Sequence, residues 1–386
     1  MTVLVRKLGV AKIMRVGQLL GLLTVYFEAR LLHDSSWDTA APVIVILLLA
    51  LLVVSEFERL GDFLSIRGLV WVAHTLRSAG LGWAATGLIA LIVVAFIPDT
   101  AENTVGQSIF WASGAIALAV STYAFTLGRT RIKVRNYKLG NTEAETTVRI
   151  TALSDLHQGE FVSANHIRKA VEISNAQSPD IVLLLGDYVD HDGGLADELL
   201  AEITNLKAKH GVFAVLGNHD IGASESHRIV EGFEADQSIN LLSNNSVVIE
   251  FEPSGNVFSL QITGIESPAE WWDAQTGRFA EQVLKYEISQ TSADFKLVAS
   301  HHPDIFELCA EYGADLVVAG HTHGGQLAVP FTGRWLNVGR LAAKYFLGRY
   351  DRAKTTLIVT PGIGVGILPA RLGVPPEVTL IELGID

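Results

Sequence analysis

Cysteine is nearly absent from this 386-residue chain: Cys309 is the only one. That excludes an internal disulfide framework and any cysteine-based metal cluster. Cys309 lies in an apolar helical stretch, IFELCAEY, where a small core residue is expected rather than a reactive thiol. Positive charge is scarce too. The 29 Lys and Arg face 41 Asp and Glu, a formal net charge of -12. No general basic surface is available to recruit nucleic acid, so no nucleic-acid partner is expected. Internal repeats and low-complexity tracts are missing. No small-residue cleavage site precedes the first apolar runs, which disfavours a removed signal peptide.

What the chain has in excess is aliphatic residues, and they are unevenly spread. Mean hydropathy is +0.33, high for a soluble protein, and the first third accounts for it. A helix needs roughly 20 mostly apolar residues to cross a bilayer core. Four stretches approach this: Val16 to Leu32, Ala40 to Ser55, Ala79 to Ile97 and Gly106 to Leu127. Their flanks alternate. Arg6, Lys7, Lys12 and Arg15 precede the first, and the turn HDSSWD has no Lys or Arg. Arg59, Arg67 and Arg77 follow the second, the turn PDTAENT is again without cations, and Arg129, Arg131, Lys133, Arg135 and Lys138 follow the fourth. By the positive-inside rule both termini are expected on the cytoplasmic side. The expected layout is a membrane region over 1–128, a basic juxtamembrane linker over 129–145 that lies against anionic headgroups, and a catalytic domain over 146–386.

From residue 146 short apolar runs alternate with amphipathic segments. TTVRITALS, DIVLLLG, GVFAVLG, FKLVAS, DLVVAG, TTLIVT and VTLIEL read as strands. SANHIRKAVEISNAQ, capped by Ser163, and LADELLAEITNLKAKH read as helices, and SVVIEF with VFSLQITGI as a hairpin. The alternation predicts layered α/β with mixed sheets.

Chemistry sits after the strands. The first is followed by Asp155-Leu-His157, the second by Gly186-Asp187-Tyr-Val-Asp190, and the third by Gly217-Asn218-His219-Asp220. FKLVAS is followed by His301-His302-Pro303, and DLVVAG by Gly320-His321-Thr-His323-Gly-Gly. Singly, each is what turns and surface histidines produce. Together they bring carboxylate, amide and imidazole to one sheet edge, where α/β proteins place their sites. Oxygen and imidazole donors without thiolate suit Mn, Fe or Zn at a hydrolytic centre.

The series resembles the calcineurin-like metallophosphoesterase superfamily, with its DxH, GDxxD, GNH(D/E), later His and GHxH pattern, over nearly all of 148–386. The tail, GHTHGGQ, KYFLGRY, TLIVTPGIG, LPARLG and PPEVTLIEL, is similar to a bacterial branch that includes membrane-tethered members. The resemblance implies a four-layer sandwich of two mixed β-sheets flanked by helices and two divalent metal ions, Mn foremost, with Fe or Zn as alternatives. It implies Asp155, His157, Asp187 and His323 on one ion, and Asp187, Asn218, His301 and His321 on the other, with Asp187 bridging. His301 is selected over His302 by its place two residues before Pro303. His219 would face the phosphate as acid or charge stabiliser, with Asp220 orienting its ring, and Asp190 would be a supporting carboxylate. Protein serine/threonine phosphatases of the superfamily carry arginine and glutamate where this chain has His191 and Asp220, so that activity is not expected.

A catalytic domain tied to the bilayer meets phospholipids and lipid-linked diphosphates. Membrane lipids and a lipid diester or pyrophosphate are the expected partner and substrate. The basic, aromatic segment 334–352 reads equally as an interfacial helix that guides lipids or as a helix packed on the domain. A metal-binding regulatory module without catalysis is the alternative; the presence of Asn218 and His219 argues against it.

Overall fold

The computed structural model describes residues 119–386, apart from 142, 160, 191–192, 223, 226, 237, 268–273, 367 and 386, together with 112, 115 and 116. Three of the expected membrane stretches and part of the fourth lie outside the described residues, as do His33, His74 and His191. Residues 119–125 are helical, and among the described residues no helix is long and apolar enough to cross a membrane. The chain divides into two compact units, Met1–Leu127 and Gly128–Asp386.

The second unit is built on two six-stranded mixed sheets. In chain order the first sheet holds β1 (Lys133–Gly140), β2 (Thr146–Leu153), β3 (Ile181–Leu184), β4 (Val212–Ala214), β5 (Ile239–Leu241) and β12 (Glu377–Ile385). The second holds β6 (Asn245–Phe251), β7 (Phe258–Ile265), β8 (Phe295–Ser300), β9 (Leu316–Ala319), β10 (Gly348–Arg352) and β11 (Thr355–Val359). Spatial orders are β1-β12-β2-β3-β4-β5 and β10-β11-β9-β8-β7-β6. The outer face of the first sheet is covered by α1 (Ala164–Ala176), α2 (Ala196–Ile203) and α4 (His227–Ala235), and that of the second by α5 (Ala274–Glu287) and α6 (Phe306–Tyr312); the one-turn α3 (Asn218–Gly222) follows β4.

Period-2 alternation explains the layers. Ile181 and Leu183 of β3 join the core between the sheets, while Val182 and Leu184 join the core under the helices. On β9, Leu316 and Val318 face the inter-sheet core, and Val317 and Ala319 pack under the second pair of helices. Strands covered on both faces become continuous aliphatic runs, as in DIVLLLG. Truncating the fully buried Leu183 to Ala would cost about 2–5 kcal/mol.

Two expectations change. The basic stretch 129–145 is not a linker, because residues 133–140 form β1, paired in parallel along β12 from Lys133↔Glu377 to Gly140↔Gly384. The second helix stops at Ile203, since the Thr204 hydroxyl and the Asn205 amide donate to the carbonyls of Leu200 and Ala201 and draw the backbone out of the helix. Ser163 does stand at the N-cap of α1, but its side chain makes no capping bond.

Cys309 on α6 is buried in the core beneath the second sheet, and burial pushes its thiol well above the usual range. Because thiolate is the reactive form, iodoacetamide at pH 8 should label the native protein about a thousandfold or more slowly than the urea-unfolded chain, the reactive fraction being the unfolded one. A native rate comparable to the denatured one would show that α6 opens on its own.

Candidate metal centre

The predicted donors cluster at the C-terminal ends of β2, β3, β4, β8 and β9. Within each sheet the strands concerned are parallel neighbours, so one edge receives every loop. Five of these residues have left-handed backbones: Asp155 (φ 52°), His157 (44°), Asp187 (55°), His321 (68°) and His323 (51°). Each such non-glycine residue costs on the order of 1 kcal/mol, and Asp and His bear it better than bulkier types. The turn swings each side chain back over the strand ends. The glycines beside them permit the close approach this needs. A Cβ on Gly186 would collide with the Gly217 backbone, and one on Gly320 with Ser154 and Asp155.

Backbone hydrogen bonds lock these loops together. Asp155 N–H donates to Gly186 C=O and His157 N–H to Asp187 C=O, both at 2.9 Å. From the second sheet, the His321 N–H donates to the Asp155 carboxylate at 3.1 Å. His301 Nδ1 donates to the Leu185 carbonyl at 2.7 Å, which turns Nε2 into the site.

Asp187 is the meeting point. Its Oδ2 lies 3.4 Å from His157 Nε2 and 3.2 Å from His301 Nε2, and its Oδ1 accepts the His219 N–H at 2.9 Å. His157 and His323 bring their Nε2 atoms within 3.1 Å, and His323 Nε2 is 3.5 Å from Asp155 Oδ1. His321 Nδ1 is 3.2 Å from His301 Nε2. The donors therefore fall into one group of Asp155, His157 and His323 and another of Asp187, His301 and His321; His157, Asp187 and His219 form a third.

Charge in the pocket is finely divided. Burial opposes ionisation of Asp187, yet His301, His157 and His219 hold its carboxyl well below the usual range. Burial would lower His301, but Asp187 and Asp155 outweigh it and push the imidazole up to about 9. Burial and the His301 charge push His321 down to about 3. Burial, with His157 and Arg371, also drives His323 well down. His321 and His323 are thus neutral imidazoles, the form that binds metal.

The donor set fits metal ions. With bonds of about 2.0–2.2 Å, donors sharing one ion stand roughly 3.0–3.5 Å apart, the spacing seen between the Nε2 and carboxylate atoms here. Asn218 Oδ1 is buried and has no hydrogen-bond partner among the described residues, as expected of an oxygen reserved for a ligand. Six of the seven predicted donors fall into these groups, Asn218 precedes His219 at the start of α3, and His301 rather than His302 is the histidine at Asp187. His302 turns its Nδ1 to the Ser267 hydroxyl, 2.8 Å away, and lies against His321 with ring centroids 3.9 Å apart and the planes tilted by 36°.

Asp220 is placed differently from the expectation. Rather than orienting the His219 ring, its carboxylate accepts three backbone N–H bonds, from Asp187 and Tyr188 at 2.7 Å and Gly217 at 2.8 Å. Burial and the Asp187 charge push its carboxyl up to about 7 against the pull of those donors. It clamps the second and third loops together. The His219 ring instead turns Nδ1 to the carbonyl of Asp190, whose carboxylate is 3.7 Å from that atom and 3.6 Å from His157 Nδ1.

The sequence reading missed Arg371. It is wholly buried, and its guanidinium donates to the carbonyls of Pro361 and Gly364 at 2.7 Å. The same loop returns N–H bonds from Ile363 and Gly364 to the carbonyls of Ser154 and Asp155, so Arg371 fixes the wall behind the first donor group. The only available signal was an arginine inside an otherwise apolar LPARLG.

A family model described as calcineurin-like phosphoesterase matches residues 148–325. "Phosphodiesterase YaeI" of Escherichia coli is 32% identical over 238 residues, covering 61% of this chain and 82% of that protein. The chain belongs to the calcineurin-like phosphoesterase family. An "uncharacterized metallophosphoesterase" of Helicobacter pylori is 27% identical over 67% of this chain and 66% of its own length. A "transmembrane protein with metallophosphoesterase domain" of Danio rerio is 27% identical over 62% of this chain and 54% of its own. As a family member with this donor cluster, the protein is a metal-dependent phosphoester hydrolase.

Removing bound metal by chelation should lower the melting temperature, because a ligand that binds only the folded state stabilises it by mass action. Asp187→Asn should lower metal content measured by mass spectrometry and shrink the chelation shift, whereas Asp190→Asn should retain the metal. Equal retention in both would remove Asp187 from the donor set.

Proposed function

We propose that the protein is a dinuclear metallophosphoesterase that cleaves a phosphodiester or pyrophosphate of a lipid or lipid-linked substrate at a membrane surface. The observation that carries the reading is Asp187, buried between two donor groups and within reach of both. Asp155, His157, Asp187 and His323 would hold one ion, and Asp187, Asn218, His301 and His321 the other; manganese suits these hard and borderline donors. Bound there, the two ions supply polarisation of the phosphoryl oxygens and acidification of water.

The chain's own part in the chemistry is proton handling and fixed geometry. His219 is partly exposed beside the donors, with its ring edge-on to His157 and centroids 4.7 Å apart. Donation of Nδ1–H to the Asp190 carbonyl fixes the ring and leaves Nε2, protonated in the imidazolium form, as the atom that hands a proton to a departing oxygen and ends as the neutral imidazole. Asp190 is the positioning residue for that ring, through its backbone carbonyl. Asp187, through the His219 N–H, ties the acid to the donors it serves. The membrane setting is supported by the four apolar stretches of the first 127 residues, and the alternation of their cationic flanks favours a cytoplasmic catalytic unit. Relatives named as transmembrane proteins with a metallophosphoesterase domain point the same way.

Detergent-purified protein should hydrolyse a chromogenic phosphodiester only with Mn present. His219→Ala should lose about 10²–10⁴-fold in turnover, the usual worth of a general acid, while keeping its metal. Asp187→Ala should lose both activity and metal. Metal bound by the parent protein without turnover, on this substrate or on phospholipid micelles, would instead favour a binding role.

A further inference from the structure

From the ligand loop that begins at His321 the chain runs through thirty residues, 321–350, without one Asp or Glu and with Arg334, Arg340, Lys344 and Arg349, on a protein of net charge -12. The first part of this stretch folds as a finger. Leu327 and Val338 are joined by a backbone bond, as are Val329 and Leu336, and Ala328 bridges Asn337. Its root is buried and fastened to the metal loop: Asn337 Nδ2 donates to the Gly324 carbonyl, one residue after His323, at 2.9 Å.

The outer part is apolar and open. Phe331 is 107% exposed and Trp335 80%, with Leu336 and Leu341 at 60% each. Phe331 also has a left-handed backbone, φ 69°, a conformation that a bulky aromatic rarely adopts. Folding therefore accepts both strain and a large apolar exposure at one tip. Arg334 lies across the Tyr350 ring, 4.4 Å from its centroid, and donates to the Arg349 carbonyl at 3.2 Å, which holds the finger's cationic side in place. The helix at Gly339–Ala342 is a single turn, so the segment is neither a long interfacial helix nor a helix packed on the domain.

We propose that this finger docks on an anionic lipid surface, with Phe331 and Trp335 entering the headgroup–acyl boundary and Arg334 and Arg340 meeting lipid phosphates. Arg334 and Arg340 form no ion pair among the described residues, whereas Lys344 and Arg349 pair with Glu307 and Asp351; aromatic tips beside those two unpaired cations match that boundary in polarity and charge. Through Asn337 the inserted finger holds the His323 loop at headgroup depth, so the phosphoester delivered to the metals is one borne on a lipid. This deepens the proposed function and rests on it for the substrate, but docking itself is measured without turnover.

The full chain carrying Phe331→Cys is labelled with a polarity-sensitive fluorophore and reconstituted into phosphatidylcholine vesicles with or without phosphatidylglycerol; Cys309, being buried, stays unlabelled. Emission should shift to the blue and be quenched by lipids carrying a nitroxide near the headgroup, more strongly with phosphatidylglycerol. Arg334→Glu with Arg340→Glu should weaken that quenching severalfold. The same probe at Tyr286→Cys, on α5, should stay accessible to aqueous iodide. A probe at 331 that is quenched by iodide and not by lipid in both vesicles overturns the proposal. So does equal shielding in detergent without a bilayer, which would mean that protein covers the finger. The charge-reversed variant should retain hydrolysis of the soluble chromogenic diester. If the parent protein shows lipid quenching and no hydrolysis, the finger stands and the enzymatic reading falls.

Discussion

The buried charge of Asp187 is the interaction on which the rest of the second unit depends. An ionised carboxylate taken out of water costs several kcal/mol unless opposite charge and hydrogen bonds surround it. Asp187 stands at the end of β3 in one sheet, and its strongest partner, His301, at the end of β8 in the other. The two sheets must therefore meet in one alignment. The inter-sheet aliphatic core, being greasy on both faces, tolerates many alignments; the carboxylate and its imidazoles accept one. Specificity of packing comes from the polar edge, and most of the stabilising burial comes from the apolar centre.

The same edge is where the protein accepts strain. Five left-handed donors together cost about 5 kcal/mol or more by the usual figure for such residues, comparable with the whole net stability of a typical domain. The restraint is distributed: N–H donors from neighbouring loops, the Asp220 clamp beneath Asp187 and the Arg371 fork behind Asp155 and His323. Each holds backbone rather than a side chain, so the side chains remain free to turn toward a common centre. Where strain is concentrated and over-determined in this way, preorganisation for a ligand is the usual reason.

How much of this was legible in the sequence follows from what each feature needs. Strands covered on both faces advertise themselves as aliphatic runs, and a polar residue directly after such a run has to lie at a sheet edge; β2, β3, β8 and β9 and their donors were read on that basis. Strand β1 was not. Its face is nearly all exposed, so Lys133, Arg135 and Lys138 masked it as a basic tether, and the pairing that makes it a strand lies some 240 positions away. β5 has three residues, too few to carry a pattern. For Asp220, the ring-orienting role came with the resemblance; within a helical turn neighbouring side chains diverge, and Asp220 points back to the backbone it clamps. Arg371 bonds to carbonyls, which leave no trace in a residue pattern.

Strand β1 also determines how the catalytic unit bears load. The chain enters that unit at Gly128 and almost at once joins a parallel ladder that runs from Lys133 to Gly140 beside the C-terminal strand. A pull along β1 from its N-terminal end is taken in shear by the whole ladder at once, and cannot open it one bond at a time as it would a peeled hairpin. Tension on the N-terminal segment is passed through β12 into β2, the strand that leads into the Asp155 loop. The N-terminal segment and the metal centre thus share a mechanical path, and a fragment cut after Gly140 would leave β12 as a bare edge.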